Sequence, residues 1–316
     1  MKDIIILGVF VADAAYRCAR LPVVGETLLG TSFQLGPGGK GSNQAVAAAK
    51  AGGQVSFISR IGADTFGRIG RDVWAEAGVH PLVTEDAEVP TGSAGIFIEE
   101  ASGHNAIIIA PGASGHLCAA DVDARRDEIA GARIALTQLE QPMEAALRFL
   151  QLARENRTTT ILNPAPAADL PDEMLALCDY ITPNEPETEA LTGLPVTSLE
   201  EATAAAKHLL AKGVSKGVLI TLGENGSLFV DESRAIHTKP MNAGPVVDTT
   251  GAGDAFNGGF VTALAEGAAI EDALRFATAT AALCVTKHGT AASMAPRDQI
   301  DALLASASSD VSISWM

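Results

Sequence analysis

The chain has 316 residues, of which 47% are hydrophobic, only 4% aromatic and 31 are glycine; 22 Lys and Arg stand against 38 Asp and Glu, a net charge of −16. That length buries an ample core as one large α/β unit or two smaller ones, and a Gly-punctuated, aromatic-poor composition suits α/β better than all-β. The negative charge argues against nucleic acid and anionic membrane as partners, so an anionic ligand would need backbone amides, a few Lys or Arg, or a divalent cation.

Cys18, Cys118, Cys178 and Cys284 are dispersed, with neither a CxxC nor a metal spacing, and read as reduced core thiols. No apolar run reaches ~18 residues and MKDIIILGVF has no h-region followed by a cleavage site, so a cytoplasmic protein is expected.

Ile4 to Phe10 is a continuous apolar run, the pattern of a buried first strand, and Asp13 is the first lone charge at its C-terminal end, either a ligand-binding acid or a solvated loop residue. Alternation through Leu28 to Leu35 predicts short strands without helical cover. Gly36-Pro37-Gly38-Gly39-Lys40-Gly41-Ser42-Asn43 then opens an Ala-rich helix. Its glycines let a ligand approach the backbone, and Lys40 and Asn43 can donate to hydroxyls or phosphates, but the GxxxxGK[ST] spacing of a Walker A loop is absent. Val55 to Ile61 reads as a strand and Asp64 to Ala77 as a helix. A hairpin turning at Ser102-Gly103 joins Thr91–Ile98 to Asn105–Ile109 and would pair with the 28 to 35 segment in one small sheet.

From Ile134 the pattern becomes regular βα: a strand to Leu139 and Glu140, a helix from Glu144 to Arg154, a strand from Thr158 to Leu162 ending in Asn163-Pro164-Ala165-Pro166. Thr182-Pro183-Asn184-Glu185-Pro186-Glu187 places carboxylates at a strand-to-helix junction, where they cap the helix or hold Mg²⁺ through water. Val218 to Thr221 is a strand, followed by a turn with Gly223 and Gly226. Val246 and Val247 suggest a strand end before Gly251-Ala252-Gly253 and a helix from Ala255 to Leu264. First-turn amides lack intrahelical partners and the helix dipole is positive there, so this turn is an anion site; Asp254 is then a capping group or a general base. A helix follows from about Ile270 to Val285, and the end from Ser306 to Met316 is expected to fray.

Gly38-Gly39-Lys40-Gly41-Ser42-Asn43, Asn163-Pro164-Ala165-Pro166, Pro183-Asn184-Glu185-Pro186-Glu187 and Asp248-Thr249-Thr250-Gly251-Ala252-Gly253-Asp254 resemble, in that order, the signatures of the ribokinase-like (PfkB) carbohydrate kinases, nearest the ribose-phosphorylating branch. The resemblance implies a three-layer α/β/α fold with a mostly parallel central sheet in one domain over residues 1–305, with a small β-sheet lid from about 11–36 and 90–112 that often builds a homodimer. It implies ATP-dependent phosphorylation of a sugar's primary hydroxyl, D-ribose first, with a fructose-type sugar or a nucleoside as the alternative and a non-catalytic sensor as a remote one. Asp254 would be the general base, beside an anion hole at Gly251, Ala252 and Gly253 that a side chain larger than Ala at 251 or 253 should crowd. Asp13, Gly39, Lys40, Asn43 and Glu140 would line the sugar site. Asn184, Thr221, Gly223, Gly226, Gly253 and Thr278 would border the nucleotide, with Mg²⁺ near Glu187 through water. Asp248, Thr250, Cys284, Lys287, Gly289 and Ser293 match positions that bind K⁺, chiefly through backbone oxygens. One departure stands out: Val11 occupies the position where the family usually carries Asn, two before Asp13, and an apolar residue there redirects sugar recognition.

Overall fold

A computed structural model describes residues 3–306 and 311–315. The strands are β1 (Ile4–Leu7), β2 (Val11–Cys18), β3 (Ser32–Gly38), β4 (Val55–Gly62), β5 (His80–Asp86), β6 (Thr91–Glu99), β7 (Asn105–Gly112), β8 (Ile134–Thr137), β9 (Thr159–Leu162), β10 (Tyr180–Ile181), β11 (Gly217–Thr221), β12 (Ser227–Val230), β13 (Arg234–Thr238) and β14 (Val311–Trp315). Among them run the helices α1 (Lys40–Lys50), α2 (Thr65–Ala77), α3 (Ala119–Asp123), α4 (Arg126–Ala130), α5 (Met143–Glu155), α6 (Asp172–Ala176), α7 (Glu185–Thr192), α8 (Leu199–Ala211), α9 (Ala252–Ala265), α10 (Ile270–Cys284) and α11 (Arg297–Ser306).

The large sheet has the order β14-β13-β12-β11-β10-β9-β8-β1-β4-β5, parallel from β11 to β5 and antiparallel through β12, β13 and β14. The run Ile4-Ile5-Ile6-Leu7 lies in its middle because a strand covered on both faces must be apolar throughout. Two side-chain layers cover the faces: Ile4 and Ile6 pack with α1, α9 and α10, and Ile5 and Leu7 with Phe149 and Leu152 of α5. α9 is buried over nearly its whole length between α1 and α10. Gly258 and Gly259 make that possible, since a Cβ at Gly258 would lie 2.5 Å from Ala47 Cβ and one at Gly259 2.6 Å from Thr280 Oγ1. Among the described residues no helix is long and apolar enough to cross a membrane. The four cysteines are free thiols, all but Cys118 buried.

The second sheet, ordered β3-β2-β6-β7, stands apart from the first. It differs in detail from the sequence expectation. The first apolar run is cut at Leu7, and Val11 begins a separate strand, so Asp13 sits inside β2 and not in a loop after β1. The alternation assigned to 28–35 is realised at Ser32–Gly38, and the 91–112 hairpin pairs with β2, in parallel through β6, and not with β3. Tyr16, Phe33 and Phe97 stack on this sheet, and Tyr16, Phe33, Ile107, Ile108 and Ile109 remain exposed.

Other expectations are corrected too. Val246 and Val247 form no strand; they lie in irregular chain and are 67% and 46% exposed, so their β-branched side chains have no neighbouring ladder to join. Of the tail expected to fray, Val311–Trp315 pairs antiparallel with β13, in keeping with its apolar–polar alternation. Residues 307–310 and 316 lie outside the described part of the chain. Helices α3, α4, α6, α8 and α11 and strands β12 and β13 were not anticipated. The first two helices are too short for a period to register, but α8 carries a legible start, with Ser198 accepting from the Glu201 amide at 3.2 Å.

Candidate active site

The chain turns into α9 through Gly251, whose φ of 83° is a left-handed conformation that only glycine adopts freely. In the first turn Ala252 N donates to Thr249 O at 3.2 Å, so that amide of the expected anion hole is already engaged. Among the described residues the amides of Gly253 and Asp254 have no intramolecular acceptor, and they sit at the positive end of the helix dipole. Asp254 does not cap the helix. Its Oδ2 accepts from Asn43 Nδ2 at 3.0 Å and its Oδ1 from Gln44 Nε2 at 3.0 Å, with the residue 7% exposed. Burial raises its pKa, opposed by the Lys40 charge and by the two side-chain amides.

Lys40, Asn184, Glu187, Thr221, Gly251, Gly253 and Asp254 converge on one cavity of about 100 Å³, together with Asn163, Thr182 and Asn257, which sequence reasoning assigned no role. Beside it, Gly39 (φ 90°) leads into α1, and Lys40 N donates to Glu140 Oε2 at 2.7 Å. Burial pushes Glu140 up to about 7 against the pull of the Lys40 amide and charge, and pushes Asp13 up to about 6. The Asp13 carboxylate lies against Gly38, where a Cβ would come within 2.3 Å of it. Among the described residues Asn43 Oδ1 is buried without a partner. Carboxylates at 13, 140 and 254, one unmatched amide oxygen and one ammonium form a set of acceptors and a donor suited to a polyhydroxyl ligand.

On the far side of the cavity, both uses left open for the 184–187 junction bear on one pair. Asn184 Oδ1 accepts from Glu187 N at 2.8 Å and Glu187 Oε2 from Asn184 N at 2.9 Å, a reciprocal cap of α7. Only one oxygen of Glu187 is used so, and burial raises its pKa in spite of that amide. Asn184 bridges to Thr221 at the end of β11, and Gly223 (φ 51°) and Gly226 (φ 88°) bound the short turn beyond it. Thr278 is not brought into the cavity: it is buried in α10 with its hydroxyl on Leu274 O at 2.8 Å.

The six positions expected around a monovalent cation do come together. Asp248 Oδ1 accepts from Thr250 N at 2.9 Å and Oδ2 from Gly289 N at 3.1 Å, joining the loop before α9 to the loop after α10. Burial would raise Asp248, but these amides hold its carboxyl below the usual range. Cys284 Sγ lies 3.0 Å from Ser293 Oγ and 4.0 Å from Thr250 O, while Lys287 Nζ turns outward to Gln299 Oε1 at 3.4 Å.

Gln44 and Gln138 were also missed. Gln44 Nε2 bonds Asn163 Oδ1 at 3.0 Å as well as Asp254, and Gln138 Nε2 donates to Gln44 Oε1 at 2.5 Å. Nothing in a Ser-Asn-Gln-Ala run marks which polar side chain of a helix meets a residue 210 positions away.

The sequence profile of the pfkB family carbohydrate kinases matches residues 1–297. A ribokinase of Haemophilus influenzae is 41% identical over 302 residues, covering 94% of this chain and 97% of that protein. A deoxyribokinase of Salmonella typhimurium is 33% identical over 305 residues, covering 96% and 98%. The structure of an Arabidopsis thaliana ribokinase complexed with ribose and ATP is similar with a TM-score of 0.91 and 33% identity, over 96% of this chain and 98% of that one.

Proposed function

The chain belongs to the pfkB family of carbohydrate kinases and is an ATP-dependent sugar kinase, and on that premise we propose that it phosphorylates the primary hydroxyl of D-ribose with Asp254 as general base. The observation that carries the reading is the buried Asp254 carboxylate, gripped by Asn43 and Gln44 in the same first helical turn that leaves two amides unpaired. Asp254 accepts the proton of the attacking hydroxyl as its oxygen moves in line onto the γ-phosphorus of ATP, whose bond to the bridging oxygen breaks to release ADP. The Gly253 amide, with Gly251 and the Asp254 amide beside it, stabilises charge on the transferring oxygens; the Ala252 amide joins them only by releasing Thr249 O. Asp13, Lys40, Asn43 and Glu140 hold the sugar hydroxyls, and closure of the small sheet, the lid, excludes water as a competing acceptor.

Asn184, Thr221, Gly223 and Gly226 border the nucleotide, and Thr278, its hydroxyl spent on Leu274 O, contributes through the packing of α10. Mg²⁺ would meet the protein through water at Glu187, of whose two carboxylate oxygens the cap of α7 uses Oε2. Such an ion supplies neutralisation of the phosphate charge. K⁺ suits the region joined by Asp248, where backbone carbonyls at Thr250, Cys284, Lys287 and Gly289, with the Ser293 hydroxyl, would be its oxygen ligands. The exposed Phe33, Ile107, Ile108 and Ile109 make the small sheet the natural interface of a homodimer, and a cytoplasmic location accords with ATP as donor.

A second reading, another sugar, rests on Val11, which shares a face of β2 with Asp13 and puts an apolar, 7% exposed side chain beside it. ADP release with D-ribose, 2-deoxy-D-ribose, fructose and nucleosides, with and without K⁺, tests both. D-ribose is expected to turn over fastest, and turnover of another substrate with none of ribose overturns the assignment. Asp254→Asn is expected to fold normally and lose ~10²-fold or more in kcat; undiminished activity would remove Asp254 from the mechanism.

A further inference from the structure

Buried polar groups are matched as a rule, and the group that matches Oδ1 of Asp254 is not part of the cavity wall. Gln44 is fully buried on α1 and lines none of the cavity. Its amide is completely assigned: Nε2 donates to Asp254 Oδ1 and to Asn163 Oδ1, each at 3.0 Å, and Oε1 accepts from Gln138 Nε2 at 2.5 Å. Turned over, the same amide would set its oxygen against two acceptors and its nitrogen against a donor. Asn163 is fixed in its turn, because its Nδ2 donates to Thr182 O at 2.8 Å. The orientation of Gln44 is therefore imposed by its neighbours and not by the ligand.

We infer that Gln44 is the positioning residue of the base: the chain Gln138 → Gln44 → Asp254 locks Oδ1 and, with Asn43 gripping Oδ2, fixes the plane of the carboxylate that receives the sugar's proton. The inference rests on Asp254 being that base. Donation from Gln138 to the Gln44 carbonyl polarises the amide and makes its N–H a stronger donor. A donor held on a carboxylate favours the ionised form, the form a base needs, and so opposes burial. The other charged or titratable groups facing Asp254 are Lys40 on α1, Glu140 after β8, Glu187 on α7 and Cys284 on α10. Gln44 hydrogen-bonds to none of them, so among these titratable groups a change at Gln44 acts directly on Asp254 alone.

The test is kcat against pH at saturating sugar and ATP for wild type, Gln44→Met, Gln138→Met and Asp254→Asn. Methionine keeps the length of the side chain and removes its donors. For Gln44→Met the acid limb is expected to move up by about one pH unit, as befits loss of one hydrogen bond to a carboxylate. kcat then falls about tenfold on that limb and recovers as the pH rises, with sugar KM changed by less than about threefold. Gln138→Met should move the limb the same way by less. An unmoved limb in folded Gln44→Met, or a sugar KM raised about tenfold with the limb in place, overturns the inference. If Gln44→Met does not fold, Gln138→Met decides by the same criterion. Asp254→Asn separates the two ideas: wild-type turnover in that variant sinks the base, whereas an inactive Asp254→Asn beside an unmoved Gln44→Met limb removes only Gln44.

Discussion

Gly253 is the position at which stability and activity should part most cleanly. It lies in the first turn of α9, and a Cβ built there meets no described atom within 4 Å apart from its chain neighbours and the backbone of its own helix. The protein therefore has room for a side chain, and helix propensity favours one by up to about 1 kcal/mol for Ala over Gly. Yet Gly253 lines the cavity of about 100 Å³, so the open space is the ligand's. One methyl is about the size of a water molecule, ~30 Å³, and would take roughly a third of that volume; the side chain of Val would take most of it. Gly253→Ala is expected to melt at or above the wild-type temperature with kcat lowered about tenfold. Gly253→Val should lose ~10²–10³-fold, the size of losing an anion-hole donor. Gly251→Ala provides the contrast. Its φ of 83° and a Cβ 3.3 Å from Thr290 Cα should cost roughly 1–2 kcal/mol of stability before any chemistry is affected. Scanning fluorimetry and a coupled ADP assay measure both quantities. Turnover by Gly253→Val within about threefold of wild type would show that no phosphoryl group approaches this amide.

Glu140 predicts a pH-dependent stability in the ligand-free protein. Burial lifts it from 4.5 to about 7, so its contribution is fully present below pH 4.5 and lost as pH rises to about 7. Glu140→Gln should match wild type in urea near pH 4.5 and exceed it at pH 8 by up to about 3 kcal/mol; equal stability at pH 8 would contradict the burial argument. Ile108→Asp changes a side chain that is 71% exposed, so the monomer should fold unchanged. Light scattering should show a dimer becoming a monomer, and a dimer that persists places the interface elsewhere.

What the sequence made legible were the segments whose chemistry is local. The turn at Gly251–Asp254 and the loop before α1 announce themselves because small residues precede apolar runs, and the capping pair Asn184 and Glu187 lies three residues apart on one turn. The pairing of β2 with β6 was not legible, because parallel partners 81 residues apart leave no mark on either strand alone. Val246 and Val247 misled for the converse reason: β-branched side chains describe a preference, and no strand lies beside them to satisfy it. Gln44 was hidden by its neighbour, since the motif drew attention to Asn43 while an adjacent helical position carries the second grip on the same carboxylate. That Asp254 does not cap its helix also had to wait for the tertiary contacts, because a cap and a base both put an acid in the first turn.

The polar hold on Asp254 bears on how the chain is made. Asn43 and Gln44 precede their partner by 211 and 210 residues. At synthesis rates of about 5–20 residues per second, α1 leaves the ribosome roughly 10–40 s before α9 arrives to cover it. Through that interval the face that will hold the base is a pair of side-chain amides, which water satisfies as well as a carboxylate does. An apolar clamp of the same shape would spend the wait exposed and adhesive to other nascent chains. Holding Asp254 through amides thus adds nothing to the apolar surface that α1, through residues such as Ala47, already keeps for α9, and it makes enzymatic activity one of the last properties that a newly synthesised or refolding molecule acquires.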